Sequence, residues 1–449
     1  MTPDDLLETG DRVIGRAQEG EAVEAVLSWS RETEIRVYEG ETEQFVASTS
    51  AGVGVRVVRD GRVGFAYAGS LDAAVVDEAV VEARDNARFA TPDPFAGLAA
   101  PDGLPVPEVD LVDERLAAVS TAEKIALAVD LERLVRAGDD RIVGLDGGAD
   151  YSDQLSYGAV VSTEGVRVGV ADTGCTLSVY SLASDGDDTT VGFGMSMGRA
   201  PADLDVAATA SDAVARAVRL LGAGPISSRR LTVVFDPWVT AMFLGVVAET
   251  FSGDAVAKGR SPFADRLGSE VASGLVTLVD DPTDPAAWGA STVDGEGLSC
   301  RRNVLIDRGE VRGFLHDSRS GRALGAASTA SAVRGYRSTP VAGPMAVALA
   351  PGSGSQAEVL AGVGEGLFVQ EVSGLHSGVN PVSGDFSVGI EGMTIRDGHL
   401  AEPVREVTVA STFQRMLADT VAVGADVTHL PYEASGVTIA IADVTVSGL

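Results

Sequence analysis

The chain is predicted to be an α+β protein in two parts: an N-terminal antiparallel sheet with flanking helices, then a β-rich, barrel-like domain. Three observations carry this. Strand-type runs joined by glycine turns fill both halves; in one, Gly54–Val58 and Val63–Tyr67 meet through Asp60-Gly61, a pair that accepts the positive φ of a hairpin turn. Only a few well-signed helices interrupt them, and in the second half this strand density suggests a closed or nearly closed β architecture. An abrupt break at Gly222-Ala223-Gly224-Pro225 then separates two stretches in which the pattern starts afresh, dividing the chain into domains 1–222 and 223–449.

Taken in order, residues 3–18 suit a short amphipathic helix with Leu6, Leu7, Val13, Ile14 and Ala17 on its apolar side. Alternation over Glu34–Val37 and Glu43–Ala47 predicts strands. Ser70 is placed to cap a helix over 71–89, whose apolar positions are Val75, Val76, Ala79, Val80 and Ala83. Pro92, Pro94, Pro101, Pro105 and Pro107 make 91–110 an extended crossing and a possible subdivision of the first domain. Ser120-Thr121-Ala122-Glu123 is a capping box, and Gly138 closes its helix. Short strands are expected over 142–196 and a helix over 202–221. In the second domain Leu231–Phe235 is a buried-strand run. Asp236-Pro237 supplies an N-cap and a proline at the first helical position, so a helix follows over 238–250. Beyond it lie short strands, glycine turns, a short helix after Ser355 and another near 411–421. No fixed-period repeat is visible.

Composition narrows the function. The chain has 449 residues, 45% of them hydrophobic and 22% charged, which is ordinary for a globular protein. Its 34 basic and 65 acidic residues give a net charge of −31, which repels nucleic-acid phosphates and anionic membrane surfaces. Two distant cysteines, Cys175 and Cys300, form neither a disulfide framework nor a cysteine-rich zinc module. The acidic start lacks the features of a signal peptide, and no apolar run approaches the ~20 residues of a spanning helix, so a cytoplasmic location is expected.

Chemistry-bearing motifs are sparse. His316, His376, His399 and His429 stand in separate segments with no metal-binding spacing, and they read as solvated loop residues. No nucleophile elbow occurs, and Cys300 reads as a half-buried strand cysteine. Gly362-Val363-Gly364-Glu365-Gly366 follows a helix instead of opening one, and lacks the lysine of a phosphate loop. Two polar, glycine-rich loops stand out, at 251–263 and 374–389.

In these loops the chain resembles the TldD/PmbA family. Phe251–Lys258 with Gly259-Arg260-Ser261, Asp294-Gly295-Glu296-Gly297 and Gly384-Asp385-Phe386-Ser387 carry the likeness. Gly54-Val55-Arg56-Val57 with Asp60–Phe65 extends it to the N-terminal hairpin, so it covers nearly the whole chain in order. The resemblance implies a metal site of His-Glu-x-x-x-His on the helix after strand 231–235, plus a late cysteine. Here those positions are Leu244, Gly245 and Glu249, and no cysteine follows Cys300. Leu244 and Gly245 read as buried helix positions. The chain therefore looks like the TldE (PmbA) branch. That implies a metal-free, non-catalytic subunit whose TldD-like partner carries zinc or a similar metal, the pair acting as a metalloprotease on unfolded or modified peptides. For the isolated chain, monomer and isologous homodimer both stay open, the homodimer being the cheapest assembly. Lys258, Arg260, His376 and Asp385 are the expected substrate-channel side chains. An independent hydrolase with an unrecognised site, and a protein-binding modulator of the DNA-gyrase-modulator type, are the alternatives. Nucleic acid and membrane are not expected partners.

Overall fold

A computed structural model describes residues 1–449. The first part holds one antiparallel sheet of six strands: β1 (Ala22–Tyr38), β2 (Glu41–Arg59), β3 (Arg62–Ala68), β4 (Ile142–Ser162), β5 (Arg167–Ser184) and β6 (Thr189–Gly198). Their order across the sheet is β3-β2-β1-β4-β5-β6. Four of these strands are longer than expected from the sequence: β4 alone runs 21 residues. Between about 28 and 34, β1 is half-buried or exposed on both faces, so the alternation that marks a strand fades although the ladder continues.

Helices α1 (Pro3–Ile14), α2 (Ala73–Phe89), α3 (Thr121–Ala137) and α4 (Val206–Arg219) cover the sheet. Leu6, Leu7 and Val13 of α1 and Val76, Ala79 and Val80 of α2 pack on Val23, Ala25, Leu27, Val53 and Val55. Leu131 and Val135 of α3 and Ala210 and Ala213 of α4 pack on Ile35, Val37, Tyr151 and Leu177. The sheet is thus two units of the same order, helix–strand–strand–strand–helix, joined antiparallel through β1 and β4. This internal duplication is one of backbone order, which is why no sequence period betrays it. Both units bring a helix onto an outer strand at glycine: a Cβ on Gly64 would meet the α2 backbone at Ala83 and Ala87, and one on Gly192 the α4 backbone at Ala213 and Ala217.

The Ser120–Glu123 capping box forms as expected, with the Glu123 N–H donating to Ser120 Oγ at 3.3 Å and the Ser120 N–H to Glu123 Oε2 at 2.8 Å. The expected cap at Ser70 is corrected. α2 begins after Asp72, and the Ser70 hydroxyl accepts the Asp72 N–H at 3.1 Å in the preceding turn.

The second part contains a closed five-stranded barrel: β7 (Arg229–Phe235), β8 (Gly366–Ser373), β9 (Asp385–Arg396), β10 (His399–Thr412) and β11 (Ile439–Ser447). The ring runs β8-β7-β11-β10-β9 and closes through β9–β8 pairing; β7 and β8 are parallel and the other pairs antiparallel. Val233 and Phe235 join the main core, whereas the intervening Val234 packs with Phe368, Ala440 and Val359 in a second cluster. Helix α5 (Pro237–Glu249) follows β7, capped by Asp236, whose carboxylate accepts the Trp238 N–H at 2.9 Å. Phe243, Leu244 and Val247 of α5 bury into the main core, where Phe243 meets Phe235, Phe386 and Phe413 edge-on.

The two parts are locked together at several places. Residues 93–104 lie along the second part: Asp93 pairs with Arg319 at 2.6 Å, and Arg322 donates to the carbonyls of Phe95 and Gly97. Buried between the parts, Arg56 makes a two-pronged pair with Glu24 (3.0 Å each) and reaches Glu296 at 3.2 Å. Arg334 pairs with Glu24 at 2.6 Å. Elsewhere Arg216 pairs with Asp236 at 2.9 Å and Arg405 with Asp188 at 2.7 Å. Removing one partner from a buried ionic group leaves another charge without compensation. Glu296→Ala should therefore cost about 3–5 kcal/mol in chemical denaturation. Arg16→Ala, which removes an exposed pair with Asp77, should leave the denaturation midpoint nearly unmoved.

Candidate functional site: a cleft along helix α5

One side of α5 faces a cleft of about 870 Å³. Ala241, Met242, Gly245, Val246 and Glu249 line it, spaced so that one helix face is presented along the opening. The short helix Gly253–Ala257 and the turn after it add Asp254, Lys258 and Arg260. The edge hairpin of Ala332–Val333 and Val341–Ala342 forms a second wall, Leu375, Pro381 and Val382 a third, and Tyr432 and Glu433 close the remainder.

The structure sorts the expected site residues. Leu244 is fully buried in the barrel core. Gly245, expected to be buried, is half-buried and lines the cleft, so that expectation is corrected: one residue's advance along the helix, about 100°, turns the backbone from core to opening. Glu249 opens onto the cleft. Partial enclosure, and then the nearby Glu433 carboxylate, hold its pKa above the usual carboxylate range. Lys258 lines the cleft but its ammonium is paired with Asp254 at 2.6 Å, four residues earlier. Arg260 also lines the cleft. His376 and Asp385 do not: both are exposed on the loop whose Leu375, Pro381 and Val382 do, and the Asp385 carboxylate accepts the Ser383 hydroxyl at 2.6 Å.

Two further readings change. His316 is buried, not a solvated loop residue, and burial lowers its pKa. A Cβ on Gly253 would collide with its Nδ1, so Gly253-Asp254 has a steric reason to start with glycine. Cys300 is fully rather than half buried, and burial pushes its thiol pKa up, against nucleophilic use. Sequence reasoning missed Tyr432 and Glu433. They stand in no motif; Trp238, in the first turn of α5, meets the Tyr432 ring edge-on with centroids 5.5 Å apart.

No group of three or more His, Cys, Asp or Glu side chains converges anywhere to hold a metal. The α5 face offers a glycine backbone, apolar side chains and one carboxylate. That donor set does not fit the N/S/O ligation of a zinc site. What it fits is binding: a long, mostly apolar cleft with a few charges at its rim.

Profiles of three consecutive domains match the chain: PmbA/TldA metallopeptidase domain 1 at residues 23–87, the central domain at 114–221 and the C-terminal domain at 228–448. The chain belongs to the PmbA/TldD family. It is 28% identical over 391 residues to the metalloprotease PmbA of Escherichia coli O157:H7, covering 86% of this chain and 84% of that protein. A metalloprotease TldD homolog of Haemophilus influenzae is 25% identical over 370 residues, covering 80% and 76%. In fold, the chain is similar to the crystal structure of TldE from Thermococcus kodakarensis, with a TM-score of 0.89, 24% identity and 99% of each chain covered. It is also similar to a Thermotoga maritima protein described as a candidate modulator of a DNA gyrase, with a TM-score of 0.90, 24% identity, and 98% and 100% covered.

A raised carboxylate pKa means the folded state is penalised where Glu249 is ionised. The penalty is present above the raised folded pKa and vanishes as pH falls below the unfolded value of about 4.3. Glu249→Gln should therefore raise the melting temperature at pH 7, and the gain should disappear by pH 4 in a melting series across that range.

Proposed function

We propose that this chain is a metal-free, TldE-like subunit that pairs with a metal-bearing TldD-like chain, the pair hydrolysing unfolded or modified peptides. The observation that carries this is the occupancy of the α5 face. On a family metallopeptidase scaffold, Leu244 is committed to the core, Gly245 has no side chain and Glu249 is the one carboxylate of the helix face. In this reading the partner supplies the metal and the hydrolytic chemistry. This chain supplies walls: the apolar cleft holds an extended peptide, Lys258 and Arg260 lie at its rim, and exclusion of bulk water favours the reaction next door. His376 and Asp385 sit on an exposed loop that reaches toward the substrate or the partner. The net charge of −31 supports action on proteins over contact with DNA, and a cytoplasmic site of action accords with it. No helix of the chain is long and apolar enough to cross a membrane.

Elemental analysis of the purified chain should find well under one transition-metal ion per chain, and about one zinc per chain would overturn the metal-free assignment. Co-purified with a TldD-like chain, it should raise hydrolysis of an unstructured peptide at least tenfold over either chain alone. Cleavage by this chain alone in the presence of chelator would establish an independent hydrolase. Full activity of the partner alone would leave only a modulatory role.

A further inference from the structure

Where the β2–β3 hairpin meets the end of α2 there is a hollow of about 380 Å³. Its lining carries four guanidiniums, of Arg59, Arg62, Arg84 and Arg88, and two carboxylates, of Glu21 and Asp60. It shares no residue with the α5 cleft. In a chain of net charge −31 this is a local reversal of sign. Backbone geometry forces the crowding. Asp60 and Gly61 take φ of 51° and 69°, the two-residue turn that sets Arg59 directly opposite Arg62. Like charges opposed across a strand pair repel. Arg84 and Arg88, four residues apart on α2, repel in the same way. Local contacts account for only part of the set. Arg84 grips Glu21 at 2.7 and 3.0 Å, and Arg62 donates to the Ala90 carbonyl at the end of α2. Arg59 has no carboxylate nearer than 3.8 Å. Arg88 pairs with Asp85 at 2.7 Å, outside the lining, where both side chains are exposed and water screens the pair.

We infer that this hollow is a binding site for a phosphate group. Charge selects the ligand. Four guanidiniums against two carboxylates leave two positive charges over, and a phosphate group at neutral pH carries about two negative ones, where a carboxylate carries one. Shape agrees with charge. A phosphate presents several terminal oxygens and so accepts from more than one guanidinium fork at once, as converging arginines require. The donors are open to a ligand: the Arg59 and Arg88 side chains are 50% and 66% exposed. Glu21, whose side chain has no exposed surface, holds Arg84 in place behind them. Bound phosphate offsets both repulsions, across the hairpin and along α2. The site is separate from peptide holding in the α5 cleft and stands or falls without it.

The test is isothermal titration calorimetry of inorganic phosphate, phenyl phosphate and acetate into the full chain, in a phosphate-free buffer of low ionic strength at neutral pH. Arg59→Ser and Arg88→Ser each remove an exposed guanidinium from the hollow, and Arg62→Gln removes the one opposite Arg59. Arg133→Ser removes an exposed positive charge on α3, outside the lining. The parent chain should bind about one phosphate. Each hollow variant should weaken that binding about tenfold, the loss of one charge-assisted hydrogen bond, while Arg133→Ser leaves it unchanged. Should Arg62→Gln fail to fold, the two serine variants carry the test. Phenyl phosphate binding more tightly than inorganic phosphate supports the site and assigns it a phosphate ester; the reverse order supports the site and assigns it free phosphate. Acetate bound as tightly as phosphate would overturn the phosphate assignment. The site itself is overturned by no saturable phosphate binding to the parent chain, by binding untouched in both serine variants, or by an equal loss in Arg133→Ser.

Discussion

Glu24 and Arg56 from the first sheet meet Glu296 and Arg334 from the second domain in a buried cluster whose four charges cancel. Each charge is withdrawn from water, so the group depends on the hydrogen bonds that hold it, with Arg334 Nη2 alone left without an acceptor. Glu296 accepts the Ser318 N–H at 2.8 Å with its second oxygen, and Arg334 reaches the Gly295 carbonyl. Geometry follows from that need. The turn at 294–297 and the segment around 332–336 are pinned to the sheet, and the latter adds Val333 to the wall of the α5 cleft. Gly52 and Gly54 of β2 complete the fit, since a Cβ on either would strike Tyr336.

How much of this was legible follows from distance along the chain. Caps and turns are local, so the boxes at Ser120 and Ser355 and the proline-started α5 could be read directly. The motifs around Arg56 and Glu296 were visible as separate markers. Their contact across 240 residues was not, because neither spacing nor periodicity encodes a pair brought together only by docking. The length of β1 was hidden where its faces lose their contrast, and the duplication where the halves share order but not residues. At the cleft, Gly245, Glu249, Lys258 and Arg260 were within reach because they sit on or beside one helix. Tyr432 and Glu433 arrive from the far end of the chain with no pattern to announce them.

The α5 face divides its residues between the core and the opening. Leu244 adds apolar volume to the barrel core, where a polar ligand would have to be satisfied. Gly245 leaves room at the opening, and Glu249 is held at some cost beside Glu433. Neither cysteine offers a substitute centre: burial pushes the Cys175 thiol up to about 12, and Cys300 is shifted in the same direction.

The duplicated sheet is fastened to the second domain through each of its halves. The first half is held by the four-charge cluster. The second is held by Arg216 on Asp236, Arg405 on Asp188 and the tilted contact of Phe193 with Trp238, ring centroids 4.7 Å apart. Contacts from both halves of the sheet oppose rocking about either one, and together they define the clearance between the sheet and the second domain. A gap defined in this way would spend little binding energy on closing around a ligand.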